Sequence, residues 1–395
     1  MSAAPVAAHT VWDGLVGQPR VIEALRAAAE GHGMSHAFLF TGPPGSGRSN
    51  AAVAFAAALQ CERPNPGASP GCGTCHACHT VLAGSHADVI VVRTEGLTIG
   101  VGLARDLVRR SALAPVGNRW QVVIVEDADR LTEQACNALL KAIEEPTERT
   151  VWMLCAPTVE DVLPTIRSRC RLVTLTTPTA DDVAAFLVRR DGVDTELASY
   201  AARASQGHIG RARALARDDE TRARRSAVVA IPASLTSLGR CMDAAAELTR
   251  VTKEEAEAIT SELDARERAD LDAAYGVIER GRRPREYAPA LRDLEQDQKR
   301  RAKRRQLDVV DRGLMDLVSV YRDAIAVAAG APGPLVNEEI RGDVELLARS
   351  SSAEANLRRI SAVFEAREQM LEFNVQPALA LESMMLGLVA PEVRR

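Results

Sequence analysis

The sequence predicts an α/β N-terminal domain, a parallel sheet covered by helices and built around a phosphate-binding loop, with a zinc-binding insertion. A small helical lid domain and an all-α C-terminal domain are expected after it. Three observations carry this reading. An apolar run at residues 37–40 enters a glycine-rich turn, and Ala-rich helical sequence from Ala51 to Leu59 leaves it. Four cysteines fall together within residues 61–78. Short apolar strands then alternate with helical spacing, which argues for a parallel sheet, until the strand signals fade after Pro178. The expected divisions are 1–177, 178–220 and 221–395, the last holding a highly charged segment at 252–306.

At 395 residues the chain has room for two or three domains. A net charge of −4 argues against a protein that grips nucleic acid with its whole surface. No apolar run approaches the roughly 18 residues of a membrane span, and Met1 to Thr10 has neither a basic start nor a signal-like core. A soluble cytoplasmic protein without a membrane partner is expected.

Trp12, Leu15 and Val16 lead into Gly17-Gln18, and a helical pattern runs from Pro19 to about Glu30, with Pro19 suited to a first turn. This stretch reads either as packing or as a wall beside the adenine of a nucleotide. The loop itself spaces Gly42, Gly45, Gly47 and Ser49 as a P-loop does. Its glycines let backbone N–H groups turn inward as an anion nest, and the following helix adds its positive end. Arg48 stands where a lysine belongs. A planar guanidinium is wider than an ammonium and cannot act as the same compact point charge. Only four of the 49 basic residues are lysines, so compositional bias also accounts for the exchange. The expectation is a loop that keeps its shape without hydrolysing ATP; whether ATP with Mg²⁺ binds there stays open.

Cys61, Cys72, Cys75 and Cys78 form two C-x2-C steps sharing Cys75, closed by an earlier cysteine across a loop rich in Pro and Gly. Four thiolates at this spacing converge tetrahedrally on zinc, and a closed site of that kind is structural. His76 and His79 are the alternative ligands. Cys136, Cys155, Cys170 and Cys241 are scattered singles.

His86 to Val92 reads as a buried strand, Ile99 to Leu113 as a helix, and Gln121 to Val125 as a buried strand ending in Glu126-Asp127. Such a strand is expected beside the phosphate loop, presenting a carboxylate to Mg²⁺. The alternative is that these acids cap the next helix. That helix, Thr132 to Glu145, places Ala135, Leu139, Leu140 and Ile143 at core spacing and stops at Pro146. Strands at Thr150–Cys155 and Arg171–Leu175 complete the alternation. Further on, Pro232 and residues 330–334 punctuate helical sequence, with no internal repeat or heptad evident. The basic run Lys299 to Arg305 reads as a solvated helix face paired with nearby acids; contact with phosphate backbone is the alternative, weakened by the lack of interleaved aromatics.

Gly42 to Ser49, the four cysteines, Asn137-Ala-Leu-Leu-Lys-Ala-Ile-Glu-Glu-Pro146 and Ile166-Arg-Ser-Arg-Cys170 together resemble the bacterial DNA polymerase III clamp loader, within the AAA+ class. The likeness covers residues 11 to about 215. It implies that Cys61, Cys72, Cys75 and Cys78 are zinc ligands and that Arg169 is an arginine finger reaching a neighbour's ATP site. A guanidinium suits that task, since it stays charged and bridges phosphoryl oxygens. Four positions depart from the hydrolysing members: Arg48 for lysine, Glu126-Asp127 for Asp-Glu, Ala156-Pro157 with Thr158 displaced for the sensing threonine, and Gly210, beside Arg211, for the lid arginine. Every departure falls on the chain's own ATP site while the outward finger survives. That imbalance resembles the delta-prime type, a stator in a hetero-pentamer with gamma/tau and delta subunits that places the sliding clamp on primer-template DNA. The rival readings are an ATP-hydrolysing gamma/tau-type motor subunit, a solitary P-loop DNA helicase and a purely structural interaction protein.

Overall fold

The computed structural model describes residues 10–62, 69–94, 98–117, 119–275 and 284–389. Three stretches read above fall in part outside these: the first nine residues, the Pro- and Gly-rich loop at 63–68, and 276–283 of the charged segment. The chain divides into two compact units, Met1–Ala216 and Arg217–Arg395.

In the first unit, a short 3-10 turn (Val11–Gly14) precedes α1 (Pro19–Ala29), which starts on Pro19 as expected. Strand β1 (Ala37–Thr41) runs into the loop, and α2 (Arg48–Gln60) and α3 (His76–Leu82) follow. Next come β2 (Val89–Val92), α4 (Val101–Ser111), β3 (Gln121–Val125), α5 (Glu133–Glu144), β4 (Thr150–Ala156), α6 (Pro164–Arg167) and β5 (Arg171–Thr174). All pairings are parallel, in the order β2-β3-β4-β1-β5.

Successive side chains of a strand point to opposite faces, and the two faces form two cores. Phe38, Phe40, Val122, Ile124, Val151 and Met153 pack with α1, α2 and α3. Ala37, Leu39, Val123, Val125, Trp152 and Leu154 pack with α4, α5 and α6. Both faces of β1, β3 and β4 are buried, which is why these strands are continuous apolar runs rather than alternating ones. The expectation for 86–92 needs correction: β2 is only four residues long, lies at the sheet edge and alternates between buried and half-buried. The expectation for the acidic strand needs correction too, because β4 intervenes between β3 and β1.

Helices α7 (Ala180–Asp191), α8 (Thr195–Ser205) and α9 (Ile209–Arg217) pack around Val183, Phe186, Leu187, Ala201 and Leu215. Their starts are capped by side chains: Thr179 accepts from the Asp182 N–H, and Asp194 from those of Glu196 and Leu197. Gln18 ties α1 to the end of the sheet, donating to the Thr176 carbonyl at 2.6 Å and accepting the Thr176 N–H at 3.2 Å.

The second unit is helical: α10 (Asp219–Val229), α11 (Ile231–Ser234), α12 (Leu238–Ala274), α13 (Tyr287–Ala328), α14 (Arg341–Ser350), α15 (Ala353–Leu371) and α16 (Pro377–Val389). Leu248, Leu314, Leu317, Tyr321, Val363, Leu381 and Met385 form its main core. Helices α12 and α13, of 37 and 42 residues, form an antiparallel hairpin. Its partners run in opposite directions along the two helices: Arg312 with Glu255, Arg301 with Asp264 and Glu267, and Arg268 with Glu295. Near the far end Tyr275 and Tyr287 meet edge to face at 5.9 Å. Polar pairs zip the outer part of this hairpin, while at its base Ala245 and Leu248 cluster with Leu307, Val310 and Leu314; the apolar seam is confined to that base, and so no heptad is legible in the sequence.

Arg225 anchors the unit's interior. Its side chain is 2% exposed and sits 3.4 Å from Asp316, itself 4% exposed; it also pairs with Glu339 and donates to the Asn337 amide oxygen at 2.5 Å. Asn337 in turn donates to Asp323 and Ser319, both at 2.9 Å. Removing one member strands a buried charge, so Arg225→Ala should cost about 3–5 kcal/mol. Urea unfolding of the full chain would read this as a lowered midpoint. Among the described residues no helix is long and apolar enough to cross a membrane.

Candidate functional site

In open parallel sheets, binding groups collect beyond the carboxyl ends of the strands. Here that edge carries the phosphate loop after β1, Glu126-Asp127 after β3 and Pro157-Thr158 after β4. Gly42, Gly45 and Gly47 all have positive φ, between 83° and 153°, as a nest requires. Gly47 begins α2 with no side-chain cap, leaving the helix's first N–H groups to the loop. The loop is pinned to the sheet by the Gly42 N–H, which donates to the Pro157 carbonyl at 3.0 Å.

The polar groups around this loop are turned on one another. The Arg48 guanidinium donates to the loop's own Gly42 carbonyl. Burial lowers its pKa, while Cys155, Asp129, Asp127 and Asp161 act in the opposite sense. An arginine held on its own backbone among carboxylates is not arranged as the compact cation of a hydrolysing loop. Glu126 accepts from Arg93 at 3.0 Å, and burial raises the Glu126 pKa against the influence of that arginine. The Thr158 hydroxyl donates to Asp161 at 2.8 Å. Neither acid after β3 caps the next helix: Thr132 does, accepting the Ala135 N–H at 3.2 Å.

The turn between α8 and α9 lies directly against the loop. A Cβ on Gly45 would meet the His208 Cγ at 2.5 Å. The turn presenting His208 holds Gln206 at φ 52° and Gly207 at φ 86°, and His208 Nδ1 accepts the Arg211 N–H at 3.2 Å. Val16 does both of the things the sequence left open: it packs against Val183 and Ile209 of α7 and α9, and with Trp12, Leu15 and Gly17 it lines a cleft. This cleft, about 620 Å³, is also lined by Ile22, Arg26 and Arg189 and by no residue of the phosphate loop.

Arg169 lies at the opposite edge of the sheet, in the turn between α6 and the start of β5. Strands of four to seven residues at roughly 3.3 Å per residue separate it from the loop by about 13–23 Å. Its side chain is 33% exposed. One guanidinium nitrogen donates to the Thr165 carbonyl at 2.7 Å and the Ser168 hydroxyl at 3.3 Å, and the other to Glu144 at 3.2 Å. The neighbouring Cys170 thiol is pushed up to about 12 by burial.

The four cysteines converge. Their sulfurs all lie within 4.8 Å of one another, near the roughly 3.8 Å spacing that tetrahedral Zn–S bonds of about 2.3 Å impose. Backbone N–H groups point at them: Cys72 at Cys61 Sγ (3.5 Å), Cys75 at Cys72 Sγ (3.4 Å) and Cys78 at Cys75 Sγ (3.4 Å). Burial raises Cys75 and Cys78 above the usual thiol value. Burial acts in the same sense on Cys72, but hydrogen bonds from Thr74 and Cys75 overcome it and draw the thiol to about 6. Four converging thiols, three buried and Cys72 half-buried, with N–H groups already aimed at sulfur, fit a divalent cation. His76 and His79 are exposed, outside the cluster. The module also clamps the N-terminal turn: Trp12 Nε1 donates to the Pro70 carbonyl at 3.1 Å, and a Cβ on Gly71 (φ 94°) would strike Val11 at 2.6 Å.

Sequence reasoning missed the partners. Nothing in the linear pattern pairs Arg93 with Glu126 or sets His208 on Gly45; Glu144, by contrast, stood inside the motif Asn137 to Pro146.

Comparison with known proteins follows the same map. A family described as DNA polymerase III, delta subunit, matches residues 17–179, and one described as DNA polymerase III, delta subunit, C terminal, matches 312–389. The DNA polymerase III subunit delta' of Escherichia coli K12 is 35% identical over 213 residues, 53% of this chain and 62% of that protein. The delta' subunit of Pseudomonas aeruginosa is 42% identical over 139 residues, 34% of this chain and 42% of that protein. The gamma/tau subunit of Mycobacterium tuberculosis is 38% identical over 156 residues, 39% of this chain and 27% of that protein. The chain thus spans less than two thirds of each of these relatives. Two family models matched in order along the chain, and delta' subunits at 35–42% identity among its relatives, support a DNA polymerase III subunit of the delta-prime type.

Proposed function

We propose that this chain is a cytoplasmic clamp-loader stator. It would occupy an end position in a hetero-pentamer with gamma/tau and delta subunits, which opens the sliding clamp and places it on primer-template DNA. Residues 1–177 would form the AAA+ body, 178–220 the lid and 221–395 the collar through which the ring is held. Arg169 enters the ATP site of the adjoining motor subunit, and the four cysteines hold a structural zinc. Gly42, Gly45, Gly47, Arg48, Ser49, Glu126 and Asp127 remain as an ATP site without hydrolytic competence.

One observation carries the reading: Arg169 stands at the sheet edge opposite the phosphate loop, so it serves another subunit's phosphates or none. The turned-in Arg48 and the Arg93–Glu126 pair support a site that has lost its own chemistry. The likeness to gamma/tau keeps the motor-subunit reading in view, and one experiment separates them. Size-exclusion chromatography of the chain with the motor subunits, with ATP turnover read on the complex and on the chain alone, should give comigration and activity in the complex only. Turnover by the chain alone would favour the motor reading.

A further inference from the structure

We infer that Glu144 is a positioning residue for Arg169. This rests on the finger reading above. Arginine carries five N–H donors, and among the described residues Arg169 uses three within its own chain: two on the α6 turn and one on the Glu144 carboxylate. The Arg169 Nε is buried, so the stem is fixed inside and only the tip reaches the surface. The α6 turn grips one terminal nitrogen; Glu144, from the end of α5, grips the other at 3.2 Å and sets the plane of the fork. One hydrogen on that second nitrogen is left for an incoming phosphoryl oxygen. A guanidinium held on both sides pays less ordering entropy when it meets the charge that develops on a transferring phosphoryl group.

The carboxylate is 53% exposed and therefore well screened, so its contribution lies in geometry more than in charge. A neutral isostere that still accepts a hydrogen bond should largely replace it. Alanine should not.

The test uses the reconstituted loader, with only the ATP site that faces this chain keeping its loop lysine. Glu144→Ala should lower kcat by about 5- to 100-fold, between the worth of an exposed ion pair and that of an ångström of misplacement. KM should stay within about twofold, assembly by size exclusion should be unchanged, and Glu144→Gln should recover most of the loss. Wild-type kcat in Glu144→Ala, or equal impairment of the alanine and glutamine variants, overturns the inference while leaving the finger standing. If Arg169→Ala turns over normally in the same assay, the finger reading itself fails and takes this one with it.

Discussion

Replacing Arg169 with alanine should lower ATP turnover at the adjoining site by roughly 10³ to 10⁵, the worth of an arginine finger in related phosphoryl-transfer systems. The magnitude is large because charge builds on the transferring group in a site that excludes water, where a fixed cation acts at low dielectric. The same change should leave folding nearly untouched. Arg169 makes surface contacts with Glu144, Ser168 and the Thr165 carbonyl, and exposed pairs of this kind contribute about 0.2–1 kcal/mol. Arg169→Lys keeps the charge but loses the planar fork, and should recover only a small part of the rate. The assay is steady-state turnover of the assembled loader in which only the neighbouring site is active, beside urea unfolding of the isolated variant. Unchanged turnover removes Arg169 from the mechanism.

The second large effect concerns the metal. The purified chain should carry one zinc, and Cys78→Ser should lose it. Structural zinc contributes apparent binding free energies of about 10–16 kcal/mol in small zinc-finger peptides at neutral pH. Here the cysteine module leans on a larger core, so part of that cost would be absorbed locally. What should fail first is the clamp on the N-terminal turn, since Trp12 is tied to Pro70 and packed on Gly71. Elemental analysis and tryptophan emission check this together: the variant or a chelator-treated sample should be metal-free, with emission shifted to the red. His76→Ala and His79→Ala should keep the metal, because both rings lie outside the cluster. Zinc retained by Cys78→Ser, or lost by either histidine variant, contradicts the ligand set.

Legibility in the sequence followed burial. The strands through Phe38, Ile124 and Trp152 are buried on both faces, so composition alone marks them; β2, at the edge, is half-buried and its bounds were overdrawn. The four cysteines were readable because metal geometry fixes local spacing. Strand order was not, since nothing local tells Val123 that its neighbour is Trp152 rather than Leu39. The α12–α13 hairpin escaped notice for a related reason: in its outer part Arg301 with Asp264 and Glu267 does the work that an apolar seam would have advertised as a heptad. The contacts around the phosphate loop were half legible. Arg48 is visible in the sequence, but its hold on the Gly42 carbonyl, the capture of Glu126 by Arg93 and the seat of His208 on Gly45 are tertiary contacts between distant segments.

As proposed, the chain lends a guanidinium to its neighbour while its own loop does no chemistry. The direct measurement is ATP turnover by the purified chain without partners, zinc intact, at saturating ATP and Mg²⁺. Turnover indistinguishable from a protein-free control, rising only when the motor subunits are added, is the expected result. Sustained hydrolysis by the chain alone, abolished by replacing Arg48 or Ser49, would contradict it.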